Sequence, residues 1–239
     1  MNHTKILQMY HNLMIKRYIK NLSITKNIRN YFRTKKIISN SDGQIKINSP
    51  SGQLLTNFIK QNKISTVLEI GTWNGLGSTS VIYSALKSKD SEFYLTSIET
   101  DKIAYKAAKN NLKNHEKVNL LYGRIIEIDE LPNAQDIDFQ SHNLEIDNAE
   151  WLIQDIRRYR KTENILNKLD DFYDLIFLDG GEFSTFAEFK KLYKKTSYLA
   201  LDDINTYKQF EVLNFINDNQ EMFEILENSD NLSIYKVKI

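Results

Sequence analysis

The sequence has 239 residues, of which 41% are hydrophobic and 26% are charged, and its formal net charge is +1. These values are ordinary for a globular protein with one sizeable α/β domain, and they exclude a chain that is disordered by composition. Cysteine is absent, which excludes disulfides, thiolate zinc sites and cysteine nucleophiles. A metal site would have to use oxygen ligands or the four histidines, and oxygen ligands favour Mg, Ca or Mn.

The sequence contains no apolar run of about 18 residues, the length that a membrane-spanning helix needs. Its N-terminus also lacks the apolar core of a signal peptide, so we expect a cytoplasmic protein with no membrane span. Charge is spread unevenly, because residues 1–41 carry no acidic side chain and residues 125–156 carry no basic one. Two solvated helical faces, two segments that face each other, or a basic arm that meets an anionic partner would each explain this pattern.

Apolar residues recur at helical spacing in the first 38 positions, which predicts a basic helical N-terminal extension, or cap, over residues 1–45. The main domain is predicted over residues 46–239. Its first helix begins after Ser49, a favourable N-cap that precedes Pro50. Apolar strands then alternate with helices, and the predicted strands are 66–70, 93–99, 118–122, 173–178 and 197–201. The predicted helices between them are 78–86, 103–112 and 186–193.

This alternation predicts an α/β fold with a mostly parallel sheet that is covered by helices on both faces. After a helix at 210–216, strands at 222–226 and 232–237 predict a C-terminal antiparallel hairpin at the sheet edge, which makes seven strands. Residues 127–171 are too many for an unstructured connection, and their apolar spacing predicts a partly helical insertion. We expect this insertion to lie beside the site and to complete the cap.

A glycine-rich turn follows the first strand of the main domain, with glycines at 71, 75 and 77. Glycines at this point let the backbone turn sharply, and the next helix offers N–H groups to a ligand. Glu69 precedes the turn, where a carboxylate suits a ligand with an ammonium group and repels a pyrophosphate. Glu99 ends the next strand, where a carboxylate can accept hydrogen bonds from both hydroxyls of a ribose.

The stretch from Val67 to Gly75 resembles the first motif of class I S-adenosylmethionine (SAM)-dependent methyltransferases. The resemblance covers about residues 50 to 239 and implies a Rossmann-like methyltransferase domain. It places Glu69 near the methionine amino group, two glycines under the methionyl part and Glu99 at the ribose. The implied cofactor contacts are Glu69, Gly71, Thr72, Trp73, Gly75, Glu99, Thr100, Gly123, Arg124 and Asp179, with Gly123 and Arg124 beside the adenine. Trp73 is bulky for such a loop, and we expect it to pack against the cap.

Acidic residues also follow the next two strands, with Asp179 after the fourth and Asp202 and Asp203 at the end of the fifth. Ligands bind outside the carboxyl ends of strands in open α/β sheets, so these side chains are expected to converge. Three converging carboxylates repel one another unless a cation or a shared proton compensates, and Mg or another hard divalent cation is the simplest compensation. A helix cap and a surface acid would be the alternative explanation for the pair.

This set of acids resembles the metal-dependent small-molecule O-methyltransferases, in particular those acting on sugars of macrolide and aminocoumarin antibiotics. The resemblance implies metal ligands at Asp179, Asp202 and Asp203. Gly181 departs from the pattern, since that group has there a second Asp, its proposed general base. Glu182 is adjacent, although a neighbouring position is expected to point elsewhere. The candidate bases are Glu182, Asp179 and His142, and His142 could also be a solvated residue of the insertion.

The sequence therefore predicts SAM-dependent methyl transfer to a hydroxyl of a small polar acceptor, with a sugar or nucleotide-sugar favoured and Tyr207 and Lys208 beside the acceptor. An RNA methyltransferase that uses its basic N-terminal arm is one alternative. The Asn/Asp-Pro-Pro-Tyr/Phe motif of enzymes that methylate amino groups of bases is missing, which argues against nucleic acid. A non-catalytic SAM-binding platform is the other alternative. A homo-oligomer is compatible with the sequence.

Overall fold

The computed structural model describes residues 44–133, 137 and 146–238, without the side chains of residues 146–150. The predicted cap lies outside these residues except for Gln44 and Ile45, and so does His142. Among the described residues, no helix is both long and apolar enough to cross a bilayer.

Seven strands form one sheet, and the described helices pack against it. The strands are β1 (Thr66–Ile70), β2 (Tyr94–Glu99), β3 (Val118–Tyr122), β4 (Tyr173–Leu178), β5 (Thr196–Asp202), β6 (Phe223–Asn228) and β7 (Leu232–Val237). The described α-helices are α1 (Pro50–Gln61), α2 (Ser78–Lys87), α3 (Lys102–Asn111), α4 (Ile146–Tyr159), α5 (Thr185–Leu192) and α6 (Tyr207–Asp218). These bounds follow the sequence prediction closely, except that α6 begins at Tyr207 rather than at position 210.

The sheet has the strand order β3-β2-β1-β4-β5-β7-β6. The first five strands are parallel, and the hairpin joins the edge through β7, which is antiparallel to β5. The predicted fold class, a mostly parallel Rossmann-like sheet with a C-terminal antiparallel hairpin, is therefore confirmed. The chain leaves β1 toward β2 on one side and reaches β4 on the other, so the strand order reverses between β1 and β4. Crevices for ligands form at such a reversal, outside the carboxyl ends of the strands.

Two hydrophobic clusters lie on the two faces of the sheet, and alternate residues of the central strands contribute to each. On β4, Ile176 and Leu178 belong to one cluster, while Leu175 and Phe177 belong to the other. Burial of both faces explains the continuous apolar runs of the central strands, since a half-exposed strand would alternate with polar residues. The core thus fixes the carboxyl ends of β1, β2, β4 and β5 along one edge of the sheet.

The segment between β3 and β4 is partly helical, as predicted. It contains α4 and two short 3-10 turns, Ile128–Glu130 and Leu166–Lys168. Its end returns to the end of β3, because Arg124 N–H donates to the Glu163 carbonyl at 2.9 Å and Ile165 N–H donates to the Arg124 carbonyl at 2.8 Å. These bonds hold the segment after α4 against the same edge of the sheet.

A cluster of aromatic rings surrounds Phe189, and a substitution there measures how much the core contributes to the free energy of unfolding. The Phe189 ring is fully buried and lies 5.3 Å from the Phe215 ring and 5.1 Å from the Tyr193 ring. We expect Phe189→Ala to lower the free energy of unfolding by about 3–5 kcal/mol, because the cavity cannot close. Phe172→Ala, at a half-exposed phenylalanine, is the control and should cost much less. Equal losses in urea denaturation would contradict the assignment of Phe189 to the core.

Candidate active site

The loop after β1 runs through left-handed backbone at Gly71 (φ 98°), Trp73 (φ 53°) and Gly75 (φ 77°). The N–H groups of Gly71 and Thr72 both donate to the Ile98 carbonyl, at 3.0 and 3.1 Å, which ties the loop to β2. A Cβ on Gly71 would lie 2.0 Å from the Asp179 carbonyl oxygen, so only glycine fits between β1 and the turn after β4. The group that lies close to Gly71 is thus the backbone carbonyl of Asp179.

Glu69 is fully buried beneath this loop. Its carboxylate accepts hydrogen bonds from the hydroxyls of Ser78 and Thr79, each at 2.6 Å, and from the hydroxyl of Ser97. Burial raises its pKa to about 7, although these hydroxyls work in the opposite direction. Glu69 therefore joins β1 to the start of α2 and to β2. Thr72 extends this network, since its hydroxyl lies 2.5 Å from that of Ser97. The predicted contacts of Glu69 and Thr72 with a cofactor stay predictions.

Glu99 lies at the tip of β2, and its side chain spans the loop and the start of α3. One carboxylate oxygen accepts the Trp73 N–H at 2.6 Å, and the other accepts the Asp101 N–H at 2.6 Å. Burial raises the pKa of Glu99 to about 7. Each carboxylate oxygen has a second lone pair, so Glu99 can still accept hydrogen bonds from two hydroxyls. Thr100 follows directly and is half-buried.

Gly123 and Arg124, the predicted adenine neighbours, make contacts within the protein. A Cβ on Gly123 would lie 2.7 Å from the Ile165 side chain. The Arg124 guanidinium donates to the carbonyls of Tyr159 at 3.2 Å and Ile126 at 2.9 Å and pairs with a carboxylate of the insertion. Arg124 thus stabilises the end of α4 through its bond to the Tyr159 carbonyl. Its contact with a cofactor stays a prediction, and these bonds do not support it.

The carboxylates of Asp179, Asp202 and Asp203, the acidic cluster, do converge, because one oxygen of each lies within 4.8 Å of the others. Asp202 is buried, and this burial together with the carboxylates of Asp179 and Asp203 raises its pKa to about 8. The Asn231 amide donates to Asp203 at 2.9 Å and to Asp202 at 3.4 Å. Burial and the neighbouring carboxylates thus favour the protonated form of Asp202, which agrees in direction with a shared proton, one of the two compensations considered from the sequence.

The other compensation is a cation from the chain itself. The Lys208 ammonium contacts the Asp179 carboxylate and lies 2.7 Å from that of Asp203, and only 6% of its side chain is exposed. Burial alone would lower the pKa of Lys208, but the two carboxylates hold it above its usual range. A protonated lysine offers no lone pair to a metal, and a hard divalent cation needs the oxygens that Lys208 contacts. The residues present therefore fit an ammonium group and do not fit a divalent cation.

Glu182 also reaches the acidic cluster, which corrects the expectation that position 182 points elsewhere. Its carboxylate accepts the backbone N–H of Lys208 and lies within electrostatic range of Asp203 and Asp155. Burial raises its pKa, and the positive charge of Lys208 offsets part of this rise. Two of the three predicted bases, Glu182 and Asp179, thus share Lys208 and Asp203 as neighbours.

Asp155 of α4 is a residue that the sequence prediction missed. A Cβ on Gly181 would lie 3.0 Å from one Asp155 oxygen and 2.9 Å from the Ser184 hydroxyl, so α4 places a carboxylate beside Gly181. The other Asp155 oxygen accepts from Arg158 at 3.0 Å, and Arg158 also donates to Asp101 at 3.2 Å. Helix α4 is therefore fastened to the loops after β2 and β4, on both sides of β1. No local pattern predicts a contact between positions so far apart in the chain.

No known family profile and no curated protein matches the sequence of this chain. Its fold, however, is similar to those of solved structures. An O-methyltransferase from Bacillus cereus in complex with SAH is 14% identical, with a TM-score of 0.54 over 94% of this chain and 97% of that chain. TomG, an O-methyltransferase from Streptomyces achromogenes involved in tomaymycin synthesis and solved with SAM, is 15% identical, with a TM-score of 0.55 over 95% and 96%. A putative caffeoyl-CoA O-methyltransferase from Staphylococcus aureus is 17% identical, with a TM-score of 0.51 over 97% and 100%. The chain therefore has the class I SAM-dependent methyltransferase fold, as the sequence predicted.

The buried Glu69 predicts a dependence of stability on pH. Its pKa of about 7 lies above the usual value of 4.5, so the folded state binds this proton more tightly than the unfolded state. The resulting stability is complete below about pH 4.5 and is lost as the pH rises through about 7, with an upper limit of about 3 kcal/mol. We expect Glu69→Gln to reduce the fall in unfolding free energy between about pH 5.5 and about pH 8.5. Glu227→Gln, at an exposed position, should leave that fall unchanged, and an unchanged fall in both variants would refute the prediction.

The contact between Asp155 and Gly181 predicts a coupling between these positions. Gly181→Asp would place a second carboxylate against a buried one, so we expect it to lower the free energy of unfolding by about 1–3 kcal/mol. The same substitution should cost at least about 1 kcal/mol less when combined with Asp155→Ala. Urea denaturation of the single and double variants measures this difference. Additive losses would show that the two positions do not interact.

Proposed function

We propose that this protein is a SAM-dependent O-methyltransferase that methylates a hydroxyl of a small polar acceptor. One observation carries the proposal: Glu99 and the acidic cluster lie on the two sides of the loop after β1, at the reversal of strand order. A carboxylate that accepts hydroxyls thus stands on one side of the loop, and a group of acids suited to proton removal stands on the other. The fold is the one that the SAH-bound and SAM-bound O-methyltransferases named above possess.

The residues around the loop fit SAM in chemical character. In its ionised form Glu99 offers acceptors only, which suits the two ribose hydroxyls, and an ionised Glu69 beneath the loop makes this region favourable for a cation. A positive charge on the ligand would in turn lower the raised pKa of both carboxyl groups. The first turn of α2, after Gly77, provides the backbone N–H groups that a carboxylate prefers. When bound, SAM supplies a methyl group on a sulfonium sulfur, which an acceptor oxygen takes up as the carbon–sulfur bond breaks.

The protein's main task is to position the hydroxyl and to receive its proton. An alcohol is a poor nucleophile at neutral pH, so a carboxylate within hydrogen-bond reach assists its reaction. Burial raises the pKa of both Asp179 and Glu182, but Asp179 is paired with the Lys208 ammonium, whereas Glu182 accepts the backbone N–H of Lys208. We assign proton removal to Glu182. Tyr207, whose ring lies 5.4 Å from that of Phe183, provides a side wall of this region.

The acceptor class is part of the same proposal. A sugar or nucleotide-sugar is favoured because its neighbouring hydroxyls suit a site rich in carboxylates, and because the acids after β4 and β5 resemble those of sugar O-methyltransferases. The basic residues 1–41, which would suit a nucleotide moiety, lie outside the described residues. A cytoplasmic location and a homo-oligomer remain predictions from the sequence.

Binding of SAM is the first test. Calorimetry should detect binding to the wild-type protein, and Glu99→Gln should weaken it by about tenfold or more, because hydrogen bonds to a charged group are lost. Glu227→Gln serves as the control and should bind as the wild type does. A circular dichroism melt of each variant separates weakened binding from unfolding. Absence of binding to the folded wild type would overturn the proposal.

Methyl transfer itself is tested with labelled SAM against panels of sugars, nucleotide-sugars and RNA. We expect label in an ether linkage on a sugar hydroxyl, and we expect Glu182→Gln to reduce the rate by about a hundredfold, the lower range for a general base. Label in RNA alone would instead support the nucleic-acid alternative. SAM binding without transfer to any panel would support a non-catalytic platform.

A further inference from the structure

The Lys208 ammonium lies where a metal ion would bind the acidic cluster. We propose that Lys208 takes the place of a divalent metal in this cluster, so that the protein binds no metal there and its reaction needs none. The claim that no metal binds rests on the contacts of the Lys208 ammonium with Asp179 and Asp203 and on the burial of this side chain. Only the claim that the reaction needs no metal rests on the proposed methyl transfer.

The position of Lys208 is built into the fold. The Gln209 amide, fully buried, donates to the Leu178 carbonyl at 3.1 Å and to the Asp202 carbonyl at 2.9 Å. These two bonds fasten the first turn of α6 to the ends of β4 and β5. The turn before α6 is also fixed, since the N–H and the hydroxyl of Thr206 both donate to the Asp203 carbonyl, at 2.9 and 2.8 Å. Lys208 therefore enters the cluster from a backbone held on two sides.

Because both are positively charged, the Lys208 ammonium and a metal ion are alternative occupants of the acidic cluster. A divalent cation among these carboxylates would stand within a few ångströms of the ammonium, and both would need oxygens of Asp179 and Asp203. An ammonium that a metal displaced from the carboxylates but that stayed buried would be a charge without a partner, which is unfavourable.

An ammonium in place of a metal ion changes which group can remove the proton from the acceptor hydroxyl. Lysine has three N–H donors, and Asp179 and Asp203 engage two directions of this ammonium. A hydrogen bond from the ammonium can orient an acceptor oxygen, but a hard cation bound directly to that oxygen would lower its pKa far more. Removal of the proton therefore depends on a carboxylate of the site, which agrees with the role proposed for Glu182.

The test uses Mn²⁺ as the probe, with the full chain, in the absence of SAM and acceptor. Electron paramagnetic resonance should detect no stoichiometric Mn²⁺ binding to the wild type up to about 1 mM, the weak end of oxygen-ligand sites. Lys208→Met shortens the side chain by one atom and removes its charge, so the three carboxylates should then bind Mn²⁺ at least about tenfold more tightly than the wild type. Lys191→Met, which breaks an exposed ion pair with Glu130, is the matched control and should gain no binding.

Two outcomes of the Mn²⁺ measurements overturn the proposal. One is stoichiometric Mn²⁺ binding to the wild type that Asp203→Asn abolishes, and the other is a folded Lys208→Met protein without increased binding. If Lys208→Met does not fold, Lys208→Gln takes its place, and the wild-type measurement decides independently. Where methyl transfer is detected, chelation by EDTA should leave its rate unchanged, and loss of activity restored by Mg²⁺ would contradict the proposal. Because the Mn²⁺ measurements involve no SAM, their result is separate from that of SAM calorimetry.

Discussion

The complete or partial burial of carboxylates at the carboxyl ends of the parallel strands is the constraint on which the rest of this structure depends. β1, β2, β4 and β5 each end in or beside an acid, namely Glu69, Glu99, Asp179 and Asp202. A carboxylate removed from water needs hydrogen-bond donors, a countercharge or a proton. The hydroxyls of α2, the left-handed loop after β1 and the docking of α6 all meet this need.

The four acids are satisfied in two different ways, which divides the site. Neutral donors serve the β1 and β2 side, where hydroxyls bind Glu69 and backbone N–H groups bind Glu99. On the β4 and β5 side, an ammonium serves Asp179, and burial together with neighbouring carboxylates raises the pKa of Asp202. On the first side, each oxygen of the Glu99 carboxylate accepts one backbone N–H and keeps a second lone pair. The second side combines a fixed positive charge with carboxylates whose pKa burial raises, which is the environment that the proposed reaction uses.

Local patterns made the strands, the loop after β1 and the convergence of the acidic cluster predictable, because strand periodicity and glycine spacing are read from neighbouring residues. The same patterns placed Lys208 beside the acceptor but did not reveal its ion pairs with the cluster. Lys208 lies 29 positions from Asp179, and a helix predicted to begin at 210 left it in a connection. The contact of Asp155 with Gly181 joins the insertion to the turn after β4. Such contacts depend on how α4 and α6 dock, which is a tertiary property that no short window of sequence contains.

The glycines of the loop have a consequence for the history of such proteins. Gly71 is required by the carbonyl of Asp179, and Gly75 by the side chain of Leu112, which would lie 2.8 Å from a Cβ there. Both requirements persist whether or not a ligand ever enters the crevice. A descendant without the proposed reaction would therefore keep these glycines in order to fold, and Lys208 to balance the buried acids, while Glu182, the proposed base, became free to vary. Divergence at position 182, rather than in the glycine motif, would distinguish active descendants from inactive ones.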